Sequence, residues 1–104
     1  MVETVFKFSQ NDEKAIEKFV FDENINYIHV VLKNGDGFPE HYSNSNVYMT
    51  VLRGMLSIGL DDQEIHDYGS GTLLKIPNNT KMSMRNSLSE TLELIIVKAP
   101  APAN

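Results

Sequence analysis

From Tyr27 to Lys98 the chain alternates short apolar runs with clusters of turn residues. YIHVVL (27–32) runs into the turn KNGDG, and VYMTVL (47–52) passes through Arg53 and Gly54 into MLSIGL (55–60). Two apolar runs joined at a glycine predict a hairpin with Gly54 at its tip. DDQ leads into EIHDY, GSG into TLLKI (72–76), PNN into TKMSMRN (80–86), and SLSE into TLELIIVK (91–98). Strand-sized runs with turn signals about every 8–12 residues predict an all-β sandwich or closed barrel. Residues 10–24 pull two ways. Ser9 is a candidate helix cap ahead of helix formers, yet IEKFVF alternates like a strand, and DEN before INYIHV reads as a hairpin. The expectation there is at most a short helical turn, then a strand.

Length and composition narrow the picture. The chain has 104 residues, enough for a single core, so 1–104 reads as one domain. With 41% apolar and 22% charged residues it belongs with globular chains, not disordered ones. The net charge is -5 and the nine Lys and Arg are scattered, which leaves no basic footprint for nucleic acid or an anionic membrane. Cysteine is absent, so disulfides, thiolate chemistry and cysteine-based zinc or iron–sulfur sites are excluded. No basic start precedes an apolar run and no run reaches transmembrane length, so the cytoplasm is the expected location. The prolines of the tail, 99–104, favour an extended, unpaired end.

Two spaced patterns carry a resemblance. Gly35, five residues, His41, and later Gly54 fall on the spacing Gly, five residues, His, one residue, His, three or four residues, Glu, six residues, Gly. Gly71, Pro77 and Asn86 fall on Gly, five residues, Pro, one residue, Gly, two residues, His, three residues, Asn. These are the two motifs of the cupins, and over roughly residues 25–98 the chain resembles a small single-domain bacterial cupin. The resemblance implies a cupin-type double-stranded β-helix, a jelly-roll barrel, with motif 1 at about 35–54 and motif 2 at about 71–86. The departures separate by role. Turn residues are kept, but of the four metal-ligand positions only His41 holds a metal-binding type; Ser43, Val47 and Met82 occupy the others, and Asn79 replaces a glycine.

A neutral serine, a valine and a soft thioether do not make a site for Fe²⁺, Mn²⁺ or Zn²⁺, so neither metal nor cofactor is expected. In the family's register His41, Ser43 and Met82 face the interior. Met84 and Thr80 share the face of Met82, and Met49 and Val51 share that of Val47. The expected ligand-binding set is therefore His41, Ser43, Asn46, Val47, Met49, Met82 and Met84. An apolar cavity with a few polar groups suits a small, partly apolar molecule. Two alternatives stay open: methionines that close the barrel completely, and a one-residue slip that turns Asn46, Tyr48 and Thr50 inward.

Three functions follow. The first is a metal-free barrel that binds a small molecule or serves as a structural or regulatory homodimer, pairing being implied by the resemblance and consistent with the apolar alternation of VFKF and LELIIVK. The second is a metal-dependent dioxygenase or isomerase using His29, His41, Asn46 and Met82, although a mid-strand His such as His29 is more often a structural residue bonded to a neighbour. The third is a sensory partner of another protein; with no helix-turn-helix or basic face the chain would not contact DNA itself. His66 falls in an acidic turn. Glu40 and His41 are adjacent on a strand and face opposite ways, and nothing supplies oxyanion donors to a Ser43–His41 pair.

Overall fold

A computed structural model describes residues 1–102. Among them the elements are β1 (Ala15–Phe21), β2 (Asn26–Lys33), β3 (Gly37–Tyr42), β4 (Asn46–Arg53), β5 (Met55–Leu60), β6 (His66–Gly69), β7 (Leu73–Ile76), β8 (Lys81–Arg85) and β9 (Thr91–Ala99). They form two antiparallel sheets, a five-stranded one in the order β1-β2-β9-β4-β7 and a four-stranded one in the order β3-β8-β5-β6. The fold is all-β, a double-stranded β-helix closed face to face around one core.

Alternation sorts the side chains. Val47, Met49 and Val51 on β4 are buried while Asn46, Tyr48 and Thr50 between them are half-buried, which removes the slipped register. Leu92, Leu94 and Ile96 on β9 meet Ile28, Val30 and Leu32 on β2 and Met82 and Met84 on β8 in one cluster. Burying each such side chain contributes about 1.5–3 kcal/mol, and this cluster holds the two sheets together.

One expectation holds and one is corrected. Residues 11–13 bend without forming a helical turn, and the chain then enters β1, which pairs with β2 as a hairpin. The expected hairpin at Gly54 does not exist, because β4 and β5 lie in different sheets. Gly54 is instead a corner where the chain changes sheet. Its φ is +84°, and a Cβ there would stand 2.2 Å from the Thr91 carbonyl oxygen. Only glycine fits that corner. Asn79, which replaces the second-motif glycine, also sits at positive φ, 62°, a conformation asparagine tolerates better than most residues. Asn86 is fully buried and ties the far end of β8 to β2 of the other sheet, its side-chain amide donating to the Leu32 carbonyl at 3.0 Å.

The N-terminal stretch covers the outer face of the larger sheet. His29 points away from the core yet is fully buried, stacked on Phe8 with ring centroids 4.3 Å apart. Its Nδ1 is hydrogen-bonded to Glu17 at 2.7 Å and its Nε2 to Glu93 at 2.6 Å. Ser9 donates to Glu17 from both its backbone N–H and its hydroxyl, and Arg53 bridges Glu93 to Asp12. Phe6 packs on Phe19 with centroids 5.7 Å apart. Phe8 of the VFKF segment thus packs on its own sheet while Val5 and Phe6 stay exposed, and LELIIVK is the central strand of that sheet. At the other end Ser45 donates its hydroxyl to the Pro100 carbonyl and the Ala101 N–H donates to Asn24 at 3.0 Å. The tail is therefore tied down through Ala101; Ala103 and Asn104 lie outside the described residues.

The hydrogen bond from His29, then that from the Ser9 N–H, holds Glu17 below its ordinary 4.5. Burial pushes Glu93 upward, but the bonds from His29 and Arg53 outweigh it and the net direction is down from 4.5. Depressed carboxyls contribute stability that is complete above their ordinary value and is lost as pH falls through the folded one. Urea unfolding of the wild type is expected to weaken between about pH 5 and about pH 3 more than that of Glu93→Gln, and equal slopes would show that the network is uncoupled from folding. His29→Ala should cost about 2–3 kcal/mol at neutral pH, less than for a fully buried pair because Glu17 and Glu93 keep some contact with water. Gly54→Ala should lower stability by at least about 2 kcal/mol through positive φ and steric overlap together, again read by urea unfolding.

Candidate functional site

The polar edge of the site is made by an irregularity in β3. Phe38 is level with Met84 on β8 and His41 with Met82, so three steps on β3 match two on β8. That extra residue is a bulge, and it falls at Pro39 and Glu40, where a proline that lacks an N–H costs the ladder least. Without the bulge, Phe38 and His41 would face opposite sides. With it both line the same cavity, and Glu40 stays exposed. The His41 Nδ1–H donates to the Pro39 carbonyl at 2.9 Å. This sets the tautomer and leaves Nε2 as an acceptor with no partner among the described residues.

The cavity measures about 160 Å³ and opens at one end of the barrel. Its floor and walls are Val30, Val47, Met49, Met82, Met84, Ile28, Ile96 and Phe38, and its mouth is framed by Ile16, His41 and Lys98. Of the residues singled out from the sequence, His41, Val47, Met49, Met82 and Met84 come together here. Ser43 and Asn46 do not. The Ser43 hydroxyl donates to the Pro77 carbonyl and accepts from the Thr80 N–H, each at 2.8 Å, while its backbone bonds to Thr80 and Asn79. Ser43 buckles the start of β4 to the β7–β8 turn, and its oxygen is fully engaged. Asn46 accepts from the Asn78 N–H at 3.2 Å and stands outside the lining. Thr80 donates its hydroxyl to Pro77 and is likewise structural.

His29 lies on the opposite face of β2 from Ile28 and Val30, held by Glu17 and Glu93, so it cannot join His41. His66 opens β6 and stacks on Tyr68. A Ser43–His41 pair is removed by the Ser43 hydrogen bond to Pro77.

Metal chemistry finds no donor set. Among the described residues no group of three His, Cys, Asp or Glu side chains is placed to hold a metal ion. At the positions where the family keeps ligands the cavity offers one imidazole, one valine and one thioether, and the serine oxygen is engaged elsewhere. The residues present do not fit a divalent transition metal.

Sequence reasoning missed Lys98. The period-two face of β9 reads Leu92, Leu94, Ile96, Lys98, so a cation stands at the end of an otherwise apolar inward row. That break was the available signal. Burial, then the nearby charge of Lys18, holds the Lys98 amino group below its ordinary 10.5.

No protein-family model matches the chain. An uncharacterized protein of Methanocaldococcus jannaschii is 40% identical over 98% of this chain and 89% of its own length. A crystal structure from that organism, of an RmlC-like cupin family protein with a double-stranded β-helix fold, superposes with TM-score 0.95 at 40% identity, covering 98% of this chain and 94% of the other. An uncharacterized conserved protein with a double-stranded β-helix domain from Klebsiella pneumoniae gives TM-score 0.80 at 15% identity, covering 96% and 92%, a likeness of fold alone. Bacillus subtilis oxalate decarboxylase, whose Mn(II) centres have been studied, gives TM-score 0.69 at 22% identity over 79% of this chain and 22% of that one, again a likeness of fold alone. With its fold, its two motifs and a relative that matches it along nearly its whole length, this chain belongs to the RmlC-like cupin family.

Proposed function

We propose that the barrel is a binding site for a small, largely apolar molecule and that it works without a metal. The observation that carries this reading is the cavity of about 160 Å³ left open among Met49, Met82 and Met84. Three flexible, polarizable side chains in one core have the shape freedom to fill it, yet they leave it open at one end. An apolar cavity of about 150 Å³ accepts a benzene-sized guest, so the space suits one ring or a short branched chain. His41 at the mouth gives such a guest a hydrogen-bonding partner at its polar end, with the ring oriented in advance by Pro39. The position next to it on the strand, Glu40, is exposed and stands outside the cavity lining.

The absence of a metal rests on donor chemistry. Ser43 has become part of the turn scaffold and Val47 part of the core, and neither returns to coordination by a change elsewhere.

The five methionines provide internal probes, three in the cavity and two, Met1 and Met55, away from it. Titration of methyl-labelled protein with benzene is expected to shift the methyls of Met49, Met82 and Met84 saturably and to leave Met1 and Met55 unmoved. Val47→Phe, which fills the floor, should abolish those shifts. A response spread evenly over all five methyls, or none, would rule out the cavity as a site. Tag-free protein should carry only trace metal by elemental analysis, and Met82→His alone should take up neither Mn²⁺ nor Zn²⁺ on dialysis. Stoichiometric metal in either protein would overturn the metal-free reading.

A further inference from the structure

The mouth of the cavity carries a charge that its apolar walls do not need. Lys98 is level with Val47 on β4 and with Asn26 on β2, at the inward-facing end of β9. It is half-buried and lines the cavity beside His41. Among the described residues no acidic side chain pairs with it. Of the carboxylates of this region, Asp22 accepts from the backbone N–H groups of Asn24 and Ile25, Glu17 binds His29 on the other face of the sheet, and Glu40 is exposed outside the cavity lining. The charge that Lys98 does feel is that of a second cation, Lys18, which shares the β1 face of Ile16 and is level with Ile28.

A half-buried ammonium without a counter-ion, repelled by a neighbour, is costly to keep. An anion arriving at the mouth would relieve both the burial and the repulsion. We propose, building on the reading of the cavity as a binding site, that its ligand is a small hydrophobic carboxylic acid, held as the carboxylate by Lys98 with its hydrocarbon body among the methionines. The cavity's size limits that body to about one ring or a short branched chain. The cation set points to a carboxylate over a phosphate. A phosphate offers three oxygens and is usually met by an arginine fork or a helix N-terminus, whereas no arginine lines this cavity and the described residues contain no helix. One amino group on the rim, with its three N–H donors, can meet both oxygens of a carboxylate.

Benzoate and benzamide share a shape and differ in charge, and benzene reports the cavity alone. Methionine-methyl titrations with all three, on the wild type, Lys98→Met and Lys98→Arg, separate the two ideas. Wild-type protein is expected to bind benzoate at least about tenfold more tightly than benzamide, the usual scale of a charge-assisted hydrogen bond. Lys98→Met should lose that preference while binding benzene as before, which shows its cavity intact, and Lys98→Arg should keep it. If benzene shifts the cavity methyls but benzoate gains nothing over benzamide, the carboxylate assignment is wrong and the cavity reading stands. If benzene too leaves the methyls unmoved, both fall. A preference that survives in Lys98→Met would move the anion contact to Lys18 or His41 and overturn the role given to Lys98.

Discussion

Strand β9 lies between β2 and β4, and its pairing on both edges decides which side chains enter the barrel. With Leu94 level with Val30 and with Val51, every second residue of three adjacent strands faces the same interior. A slip of one position on either edge would carry an entire apolar row to the outside. The core cluster, the position of the cavity and the inward turn of Lys98 all depend on that register. The smaller sheet only has to present Met82, Met84, Leu56 and Ile58 to the face so defined.

Closure is incomplete at one end. There β1 is an edge strand of one sheet and β3 an edge strand of the other, and the inward residues of both stay partly exposed. Ile16 and His41 are exposed for that reason, although both belong to the inward face. The bulge in β3 exploits the same edge. It spends one residue on a local irregularity and brings an aromatic ring and an imidazole to the same side. The resulting mouth is polar on its rim and apolar below it, the form that small-molecule sites usually take.

The family's metal positions have been reassigned, each to a different physical task. Ser43 closes the turn network through Pro77 and Thr80, Val47 and Met82 fill the core, and His41 alone keeps a donor at the mouth. His29, read from the sequence as more often a structural residue bonded to a neighbour, holds the N-terminal stretch to the outer face of the larger sheet through two carboxylates and a stacked phenyl ring. The buried imidazole of His29 thus lies on the outer face of the larger sheet, that of His41 stands at the cavity mouth on the smaller sheet, and only His29 has acidic partners.

Much of the barrel was legible in the chain itself. Alternation located most strands and the shared faces of Val47 with Met49 and of Met82 with Met84, because the period-two rule acts within a strand and needs no partner. Motif spacing located the turns at Gly35, Pro77 and Asn86. The apolar row of β9 even displayed Lys98 out of pattern. What alternation cannot supply is absolute orientation or pairing between distant strands. Gly54 reads as a hairpin tip in one dimension, and only packing reveals that β4 and β5 part there into different sheets. Ser43 has the right parity for the cavity and leaves it because the Pro77 carbonyl, far along the chain, claims its hydroxyl. The bulge at Pro39 and Glu40 changes parity by one residue without any change in composition, so Phe38 and His41 meet only once β8 is beside them. Local periodicity determined the strands and their two faces; contacts between residues remote in sequence decided which face became the site.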